Sequence, residues 1–451
     1  MTLPFGHDDV RRAGEGALDL AGADEVEVVF TGTDSRVTRY ANSQITQNIH
    51  QSTVRAHVRV AKGRRFASVS TNQLDPHRVR DAATRALEAA RHSPEDPGWP
   101  GLPSPAEVGR PTPLRRFHEG TASLSAERRA RRVADILAVT SGSDAAGVVE
   151  TSSHAYAVLS SRAVDCFDYF SRCVVSCLAD VGEATGYKES SSYSVDEVDP
   201  TGVAKAALEK AEASRRPQDV STGEYEVILE PAAVALLIEY LAYAGFGAKQ
   251  FLDGESFLST RRGQQVAETL VTIADDIHHP KSLGIGFDFE GVPKRRVAVI
   301  DRGSATGPVT DHRTARKMGT FPTGHYSGSN EFGPFASNLV MEPGDGSQED
   351  LIAGVQRGLL VTRFHYVNVL DRPSVLLTGM TRDGTWLIQR GEVAGPVHNL
   401  RFTQSVLDAL SSVSRIGRDL EAFAPDYGGF GSSVAPGIHC ESFDFTSRTS
   451  H

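Results

Sequence analysis

The hydrophobic pattern near the amino terminus predicts an antiparallel sheet. Residues 26–30 and 38–40 are rich in β-forming side chains, and apolar and polar positions alternate over residues 52–60. The apolar members of this alternation share one face of a strand and are Val54, Ala56, Val58 and Val60. Such a strand packs one side on a core and turns the other to water. We therefore expect a half-buried antiparallel sheet.

A helical spacing of apolar residues follows this sheet. Over residues 75–91 the apolar positions recur at helical intervals, and Asp75 before Pro76 supplies a cap and a first turn. Residues 93–113 contain seven prolines, which exclude a central strand or a helix and indicate an extended linker. The remaining predicted elements of this half are helices at 125–140 and 200–213 and a β-rich stretch at 147–194.

A polar break at residues 214–223 separates this half from the rest of the chain. The second half begins with a strand at 224–229 and an apolar helix at 231–245. Short alternating strands follow, with helical runs at 349–356 and 405–416. The sequence predicts an α+β fold. Its two predicted parts are an amino-terminal α/β-sandwich-like domain with a mixed or antiparallel sheet at 1–220, which includes the linker, and a β-rich carboxy-terminal domain at 221–451.

Composition argues against nucleic-acid-binding, secreted and membrane-spanning proteins. The 451 residues carry 47 Lys and Arg against 57 Asp and Glu, a net charge of −10, which argues against a nucleic-acid partner. The chain begins without the basic and apolar segments of a secretory signal, and its four cysteines form no disulfide framework, so we expect a cytoplasmic protein. The most apolar stretch, residues 232–246, is too short and too polar to span a membrane.

Three groups of potential metal ligands or nucleophiles occur, and each has a structural interpretation that we favour. His118 and Glu119 resemble the start of a zinc-protease helix, but the second ligand position is Ala122, which favours a surface loop. The densest cluster of donors is favoured as a solvated turn and consists of Asp275, Asp276, His278 and His279. The three clustered cysteines are favoured as core residues and are Cys166, Cys173 and Cys177.

Glu239 is the most informative single residue. It is the only charged residue between positions 232 and 244, in a helix that is apolar on nearly every side. A carboxylate in such a helix needs a partner. The structural interpretation is a hydrogen bond to Tyr243 or to a donor on a neighbouring element. The functional interpretation is an ionisable group in a cleft.

The sequence resembles the TldD/PmbA family of peptidase-related proteins, in which PmbA is also called TldE. The resemblance rests on segments that occur together in family order. They are RYANSQITQ at 39–47, GESFL at 254–258, DFEGVP at 288–293, DLIAGVQRGLLV at 350–361, TGMTRDG at 378–384 and QRGEVAGPV at 389–397. The resemblance implies a TldD/PmbA-like fold and subunits that work as unlike pairs.

In the TldD-type subunit of this family, a helical His-Glu-x-x-x-His motif binds zinc and a carboxy-terminal cysteine completes the site. On this chain the motif falls on Ile238, Glu239 and Tyr243, so both ligand histidines are replaced and the glutamate is kept. The cysteine would fall near residues 427–431, where none occurs, and Cys440 lies further along. The resemblance implies no metal in this chain and zinc in a partner subunit.

The resemblance therefore implies a non-catalytic, PmbA/TldE-like subunit of a heteromeric zinc metallopeptidase. Its TldD-like partner would cleave small or unfolded peptides, including leader peptides, held as an added strand. One alternative is a pair that acts on an amide or related bond in small-molecule biosynthesis, with Glu239 and Tyr243 as catalytic acid and base. The other alternative is a peptide-binding scaffold without activity.

Overall fold

The computed structural model describes residues 3–425 and 430–448. The first half of the chain forms six helices, six strands and a short 3-10 turn in these residues. In chain order they are α1 (His7–Leu18), β1 (Glu25–Ala41), β2 (Gln44–Lys62), β3 (Arg65–Thr71), α2 (Pro76–His92), α3 (Pro105–Val108), α4 (Glu119–Ala122), α5 (Ala126–Val139), β4 (Asp144–Ser160), β5 (Asp165–Asp180), β6 (Thr185–Ser192), the turn Val195–Glu197 and α6 (Pro200–Ala213).

The six strands make one antiparallel sheet in the order β3-β2-β1-β4-β5-β6. Four helices cover one face, α1 and α2 at one end and α5 and α6 at the other, because each presents an apolar stripe. The Asp75 carboxylate caps α2 as predicted, accepting from the backbone N–H groups of His77 and Arg78. The expectation of no helix in the linker is wrong, because a single helical turn, α3, begins at Pro105, the helix position where proline is tolerated.

The second half contributes the remaining described elements. In chain order they are β7 (Gly223–Leu229), α7 (Pro231–Gly245), α8 (Ala248–Leu252), α9 (Leu258–Arg261), β8 (Ile273–Asp275), β9 (Val297–Asp301), β10 (Ser304–Ala305), α10 (His312–Met318), β11 (Asn338–Met341), α11 (Gln348–Ala353), β12 (Arg357–Asp371), β13 (Leu376–Gln389), β14 (Glu392–Pro396), β15 (Leu400–Ser405), α12 (Val406–Ser411), β16 (Val413–Ile416), β17 (Glu421–Phe423), β18 (Ser432–Ala435) and β19 (Ile438–Arg448).

These strands form two sheets with α7 between them. One sheet has the order β10-β9-β8-β11-β18-β17. In the other, β12-β7-β19-β15-β13 closes into a ring because β12 also pairs with β13. Helix α7 packs against β12 of the ring and β18 of the open sheet. Because a sheet packs on each side of α7, the helix is apolar around nearly its whole circumference.

The predicted α+β class is confirmed, and several details differ from the prediction. The helix predicted at 405–416 ends at Ser411, because Val413 and Ile416 pair with β19 as strand β16. The polar face predicted for residues 52–60 is not fully solvated, since Arg59 is only 3% exposed. The boundary near residue 220 stays a prediction. No helix in the described part of the chain is long and apolar enough to cross a bilayer.

The second face of the first sheet packs against the second half of the chain. Phe170 and Tyr156 from this face contact Ile285 and Phe287 in a shared apolar cluster. Beside that cluster, Arg59 forms a buried ion pair with its cross-strand neighbour Glu27 and a second one with Glu290. We call Arg59, Glu27, Glu290 and the ring of Tyr326 under the guanidinium the interface cluster.

Candidate functional site

A cavity of about 600 Å³ lies beside α7, between the ring of strands and the open sheet. This volume is typical of sites for small ligands. Its described lining comes from α7, β11, β18, the end of β12 and adjoining loops. The lining residues are Glu239, Tyr240, Tyr243, Phe335, Ala336, Ser337, Leu339, Asn368, Val369, Leu370, Arg372, Pro425, Phe430 and Ser433.

Helix α7 is fixed at both ends and in its middle. Pro231 occupies its first turn, where a missing N–H costs nothing. The Tyr240 hydroxyl donates to the carbonyl of Val367 on β12, at 2.5 Å. Gly245 ends the helix where a Cβ would lie 2.5 Å from the ring of Phe257, so the close packing requires glycine. The helix is therefore a rigid support for the side chains that line the cavity.

Glu239 lies half-buried in the cavity wall. The Ser433 hydroxyl, on β18, donates to its Oε1 at 2.6 Å. The sequence left two interpretations of Glu239 open, and the structure contains elements of both. Ser433 supplies a donor from a neighbouring element, and the carboxylate also lines a cavity. Pairing between α7 and β18 is a long-range contact, so the sequence alone gives no signal for Ser433.

Tyr243 lies one turn after Glu239 and lines the same cavity, with 39% of the residue exposed. Its hydroxyl accepts a hydrogen bond from Nη2 of Arg372 at 2.9 Å. The guanidinium carbon of Arg372 lies 4.8 Å from the centre of the Tyr243 ring, within the range of a cation–π contact. The structure thus brings together the two predicted site residues and adds a cation that the sequence analysis missed.

Ile238 lies on a different side of α7. It is fully buried in the core of the second half and is absent from the described cavity lining. Cys440 is also fully buried in that core, on β19. The predicted region for a cysteine ligand includes Tyr427, Gly428 and Gly429, which lie outside the described residues.

A buried polar network supports the cavity wall behind Ser337. The ammonium of Lys294, whose residue is 5% exposed, donates to Ser337 Oγ at 2.9 Å and to Asn338 Oδ1 at 2.8 Å. Burial lowers the pKa of Lys294, and the nearby carboxylates of Asp275 and Asp288 partly oppose this shift. The sequence does not indicate that Lys294 is buried. Arg295 and Arg296 follow it, and three consecutive basic residues are typical of a solvated surface segment.

The expectation that Asp275 belongs to a solvated turn is wrong. Asp275 ends strand β8, is fully buried and accepts hydrogen bonds from the backbone N–H groups of Ser337 and Asn338. Burial opposes its ionisation, but His325 and Lys294 with these donors hold its pKa below the ordinary value. The side chain of His278, by contrast, is exposed. These donors therefore point in different directions.

Zinc does not fit the donors that the structure describes. In residues 3–425 and 430–448, no three His, Cys, Asp or Glu side chains come together as a metal-binding group. The described lining of the cavity offers one carboxylate, hydroxyl groups and a guanidinium, whereas protein zinc sites use three or four imidazole, thiolate or carboxylate ligands. The three clustered cysteines are buried in β5, as predicted for core residues, and burial raises the pKa of Cys173 to about 12.

The family model of the PmbA/TldA metallopeptidase C-terminal domain matches residues 222–447. The model of domain 1 of the same metallopeptidases matches residues 26–92. The chain belongs to the TldD/PmbA family.

Relatives of known sequence agree with this membership. A metalloprotease of Methanothermobacter thermautotrophicus is 28% identical over 235 residues, which are 51% of this chain and 50% of that protein. A zinc metalloprotease TldD homolog of Saccharolobus solfataricus is 24% identical over 211 residues, 44% of each chain. This TldD/PmbA chain thus spans about half the length of the curated relatives it matches.

A solved structure matches over nearly the whole length. TldE from Thermococcus kodakarensis superimposes with a TM-score of 0.85, covering 98% of this chain and 99% of that one, at 21% sequence identity. At this identity the likeness shows the fold alone. The TldD/PmbA-like fold implied by the sequence segments is therefore confirmed.

Proposed function

We propose that this chain is the metal-free, PmbA/TldE-like subunit of a heteromeric TldD/TldE-type zinc metallopeptidase. The single observation that carries the proposal is the α7 cavity. Helix α7, which lines this cavity, keeps Glu239 at the motif position, but a core residue, Ile238, and a cation-bound tyrosine, Tyr243, stand where histidines would bind zinc. In this proposal the chain shapes the chamber and binds peptide, while a TldD-like partner holds zinc and cleaves.

The substrate class and the compartment belong to the same proposal. Small or unfolded peptides, including leader peptides, suit a cavity of this volume lined mainly by apolar side chains with few polar groups. All four cysteines are free, buried thiols, which suits a reducing compartment such as the cytoplasm. Relatives named as metalloproteases support the peptide substrate.

Reconstitution tests this proposal. The purified chain is mixed with a paralogue from the same source that carries both motif histidines, and cleavage of a fluorogenic unfolded peptide is followed with and without a chelator. We expect no cleavage by this chain alone and chelator-sensitive cleavage by the mixture. Cleavage by the isolated chain that is abolished in Glu239→Gln would overturn the proposal, as would a mixture that neither associates nor cleaves.

A further inference from the structure

One edge of the first sheet is open where strand β2 extends beyond its neighbour β3. Strand β3 pairs with residues 56–62 of β2, whereas β1 pairs along nearly the whole of β2. In the described part of the chain, no strand pairs with the outer side of residues 44–55. Every residue from 44 to 53 is exposed. The unpaired backbone N–H and C=O groups of such an edge are a template for a further strand.

The regular part of this open edge consists of residues 47–55, which we call the β2 edge. A register shift opposite Arg39 and Tyr40 separates it from the tip of the hairpin, and from Gln47 to Arg55 the pairing with β1 is unbroken. In an antiparallel ladder, alternate residues direct both backbone groups to the same neighbouring strand. A strand added along the whole β2 edge therefore makes about eight to ten hydrogen bonds, as many as a typical protein–protein interface.

The β2 edge lacks the features that prevent strands from pairing. Soluble proteins protect open edges with lysine, proline, bulges or a covering helix. Residues 47–54 contain no proline, lysine, arginine, aspartate or glutamate, although 23% of the chain is charged. The one titratable side chain among them, His50, contacts the carboxylate of Asp34 at 2.8 Å. Nothing in this segment therefore opposes the approach of a second strand.

The apolar side chain on this edge lies on the face that the helices leave open. Asn48 accepts a hydrogen bond from Nη2 of Arg129 on α5 at 2.9 Å, so Asn48 points towards the helices. Because side chains alternate along a strand, Ile49 lies on the opposite face, beside its cross-strand neighbour Val37. Ile49 is 43% exposed. An added strand would give it a second cross-strand neighbour.

Charge and conformational order favour a second copy of this chain as the added strand. Two copies repel each other because each carries a net charge of −10, and residues 47–54 form a surface where they can meet without opposed like charges. A strand that is already folded has lost its backbone freedom, whereas a free peptide loses that freedom only on binding. An antiparallel edge also pairs with its own copy about a twofold axis, the symmetry of most dimers.

We propose that two copies of this chain pair antiparallel through the β2 edge, about a twofold axis at Gln51. This centre uses the whole edge, because it places Gln47 opposite Arg55 and Ile49 opposite Thr53 of the second copy. The axis is perpendicular to the sheet, so the helices of both copies lie on one face of the joined sheet. The inference goes beyond the proposed function, because it joins two like subunits.

Sedimentation equilibrium of charge variants tests the pairing. Gln51→Lys and Gln51→Glu each place two like charges opposite each other, so we expect each to weaken self-association about fivefold. An equal mixture of the two variants places lysine opposite glutamate, and we expect it to associate at least as tightly as the wild type. Mixing cannot repair a folding defect, so this recovery is specific to the pairing. The matched control, Gln73→Lys, changes an exposed residue after β3 and should alter association less than about twofold.

Disulfide cross-linking tests the position of the axis. All four native cysteines are buried, so an added surface cysteine is the thiol that reacts under mild oxidation. At a twofold axis a residue lies opposite its own copy, close enough for a disulfide. We expect Gln51→Cys to form a covalent dimer on a non-reducing gel and Gln73→Cys to remain a single chain.

Two results would overturn the inference. The first is a wild-type chain that stays monomeric, including one that uses the β2 edge only for a TldD-like paralogue or an extended peptide. The second is equal self-association of wild type, Gln51→Lys and Gln51→Glu, because the dimer would then form through another surface. Association of the isolated chain is measured without the paralogue and without zinc, so its failure is distinguishable from failed cleavage in the reconstituted mixture.

Discussion

Two carboxylates of this protein, Glu27 and Glu239, differ in how far the surrounding protein encloses them. Glu27, in the interface cluster, is 1% exposed and paired with Arg59, which also pairs with Glu290. Glu239 is half-buried and lines a cavity of about 600 Å³. Glu27 is enclosed by protein and shares one guanidinium with a second carboxylate, and Glu239 lines an open space. The difference separates a carboxylate enclosed between the two halves of the chain from one in a cavity wall.

The interface cluster should therefore show the largest effect on stability. Arg59→Met removes the shared counter-charge and leaves Glu27 and Glu290 buried together, for which we expect a loss of about 3–5 kcal/mol in the free energy of unfolding. Chemical denaturation measures this loss. Arg55→Met is the matched control, because Arg55 is exposed on the same face of β2 and should change stability by less than about 0.5 kcal/mol. Equal effects of the two variants would show that the cluster does not stabilise the contact.

A buried histidine in the first sheet gives a second, pH-dependent effect. His154 is 3% exposed, stacks on Phe170 and contacts the hydroxyls of Thr33 and Ser152. Burial, assisted by the charge of Arg172, lowers its pKa from 6.5 to about 3. The unfolded chain therefore takes up a proton at a higher pH than the folded chain does. The stability due to neutral His154 is complete above pH 6.5 and is lost as the pH falls towards 3.

Replacing His154 with glutamine tests this effect. Over the interval from pH 6.5 to 3, we expect the wild type to lose more unfolding free energy than His154→Gln, by at most about 5 kcal/mol. Denaturation midpoints measured across this interval give the difference. His77→Gln, which changes an exposed side chain on α2, should follow the wild-type slope. Parallel curves for wild type and His154→Gln would contradict the assignment.

The cavity carboxylate should have the smallest effect on stability. Glu239→Gln retains a side-chain oxygen that can accept from Ser433, so we expect the free energy of unfolding to change by less than about 1 kcal/mol. Thermal and chemical denaturation of the purified variant check this value. A loss of unfolding free energy as large as that of Arg59→Met would mean that Glu239 stabilises the fold as Glu27 does. The contrast between the two carboxylates would then be wrong.

Local patterns predicted most of the elements but not their partners. Alternation and capping identified the strand at 52–60 and helix α2, because both depend on residues close in sequence. Arg59 looked like an exposed member of that alternation, and only the packing of the second half buries it. The prediction for Asp275 is wrong for the same reason, since its donors are the backbone groups of Ser337 and Asn338, more than 60 residues away.

The candidate site was predictable only in part. A single charge in an apolar helix indicated Glu239, and the family resemblance indicated Tyr243 as the position of a lost ligand. Neither signal could indicate Ser433, Lys294 or Arg372. These residues reach the cavity or its wall from β18, a loop of the open sheet and the turn after β12. Long-range pairing of strands brings them together, and hydrophobic periodicity does not encode it.

The zinc content of the purified chain tests the central claim most directly. The chain is loaded with zinc, desalted and analysed by mass spectrometry, alone and in complex with a paralogue that has both motif histidines. We predict no stoichiometric zinc in the chain alone, because isoleucine and a cation-bound tyrosine replace the ligands, and one zinc per paralogue in the complex. About one tightly bound zinc per isolated chain, lost in Glu239→Gln, would contradict the assignment of this subunit as metal-free.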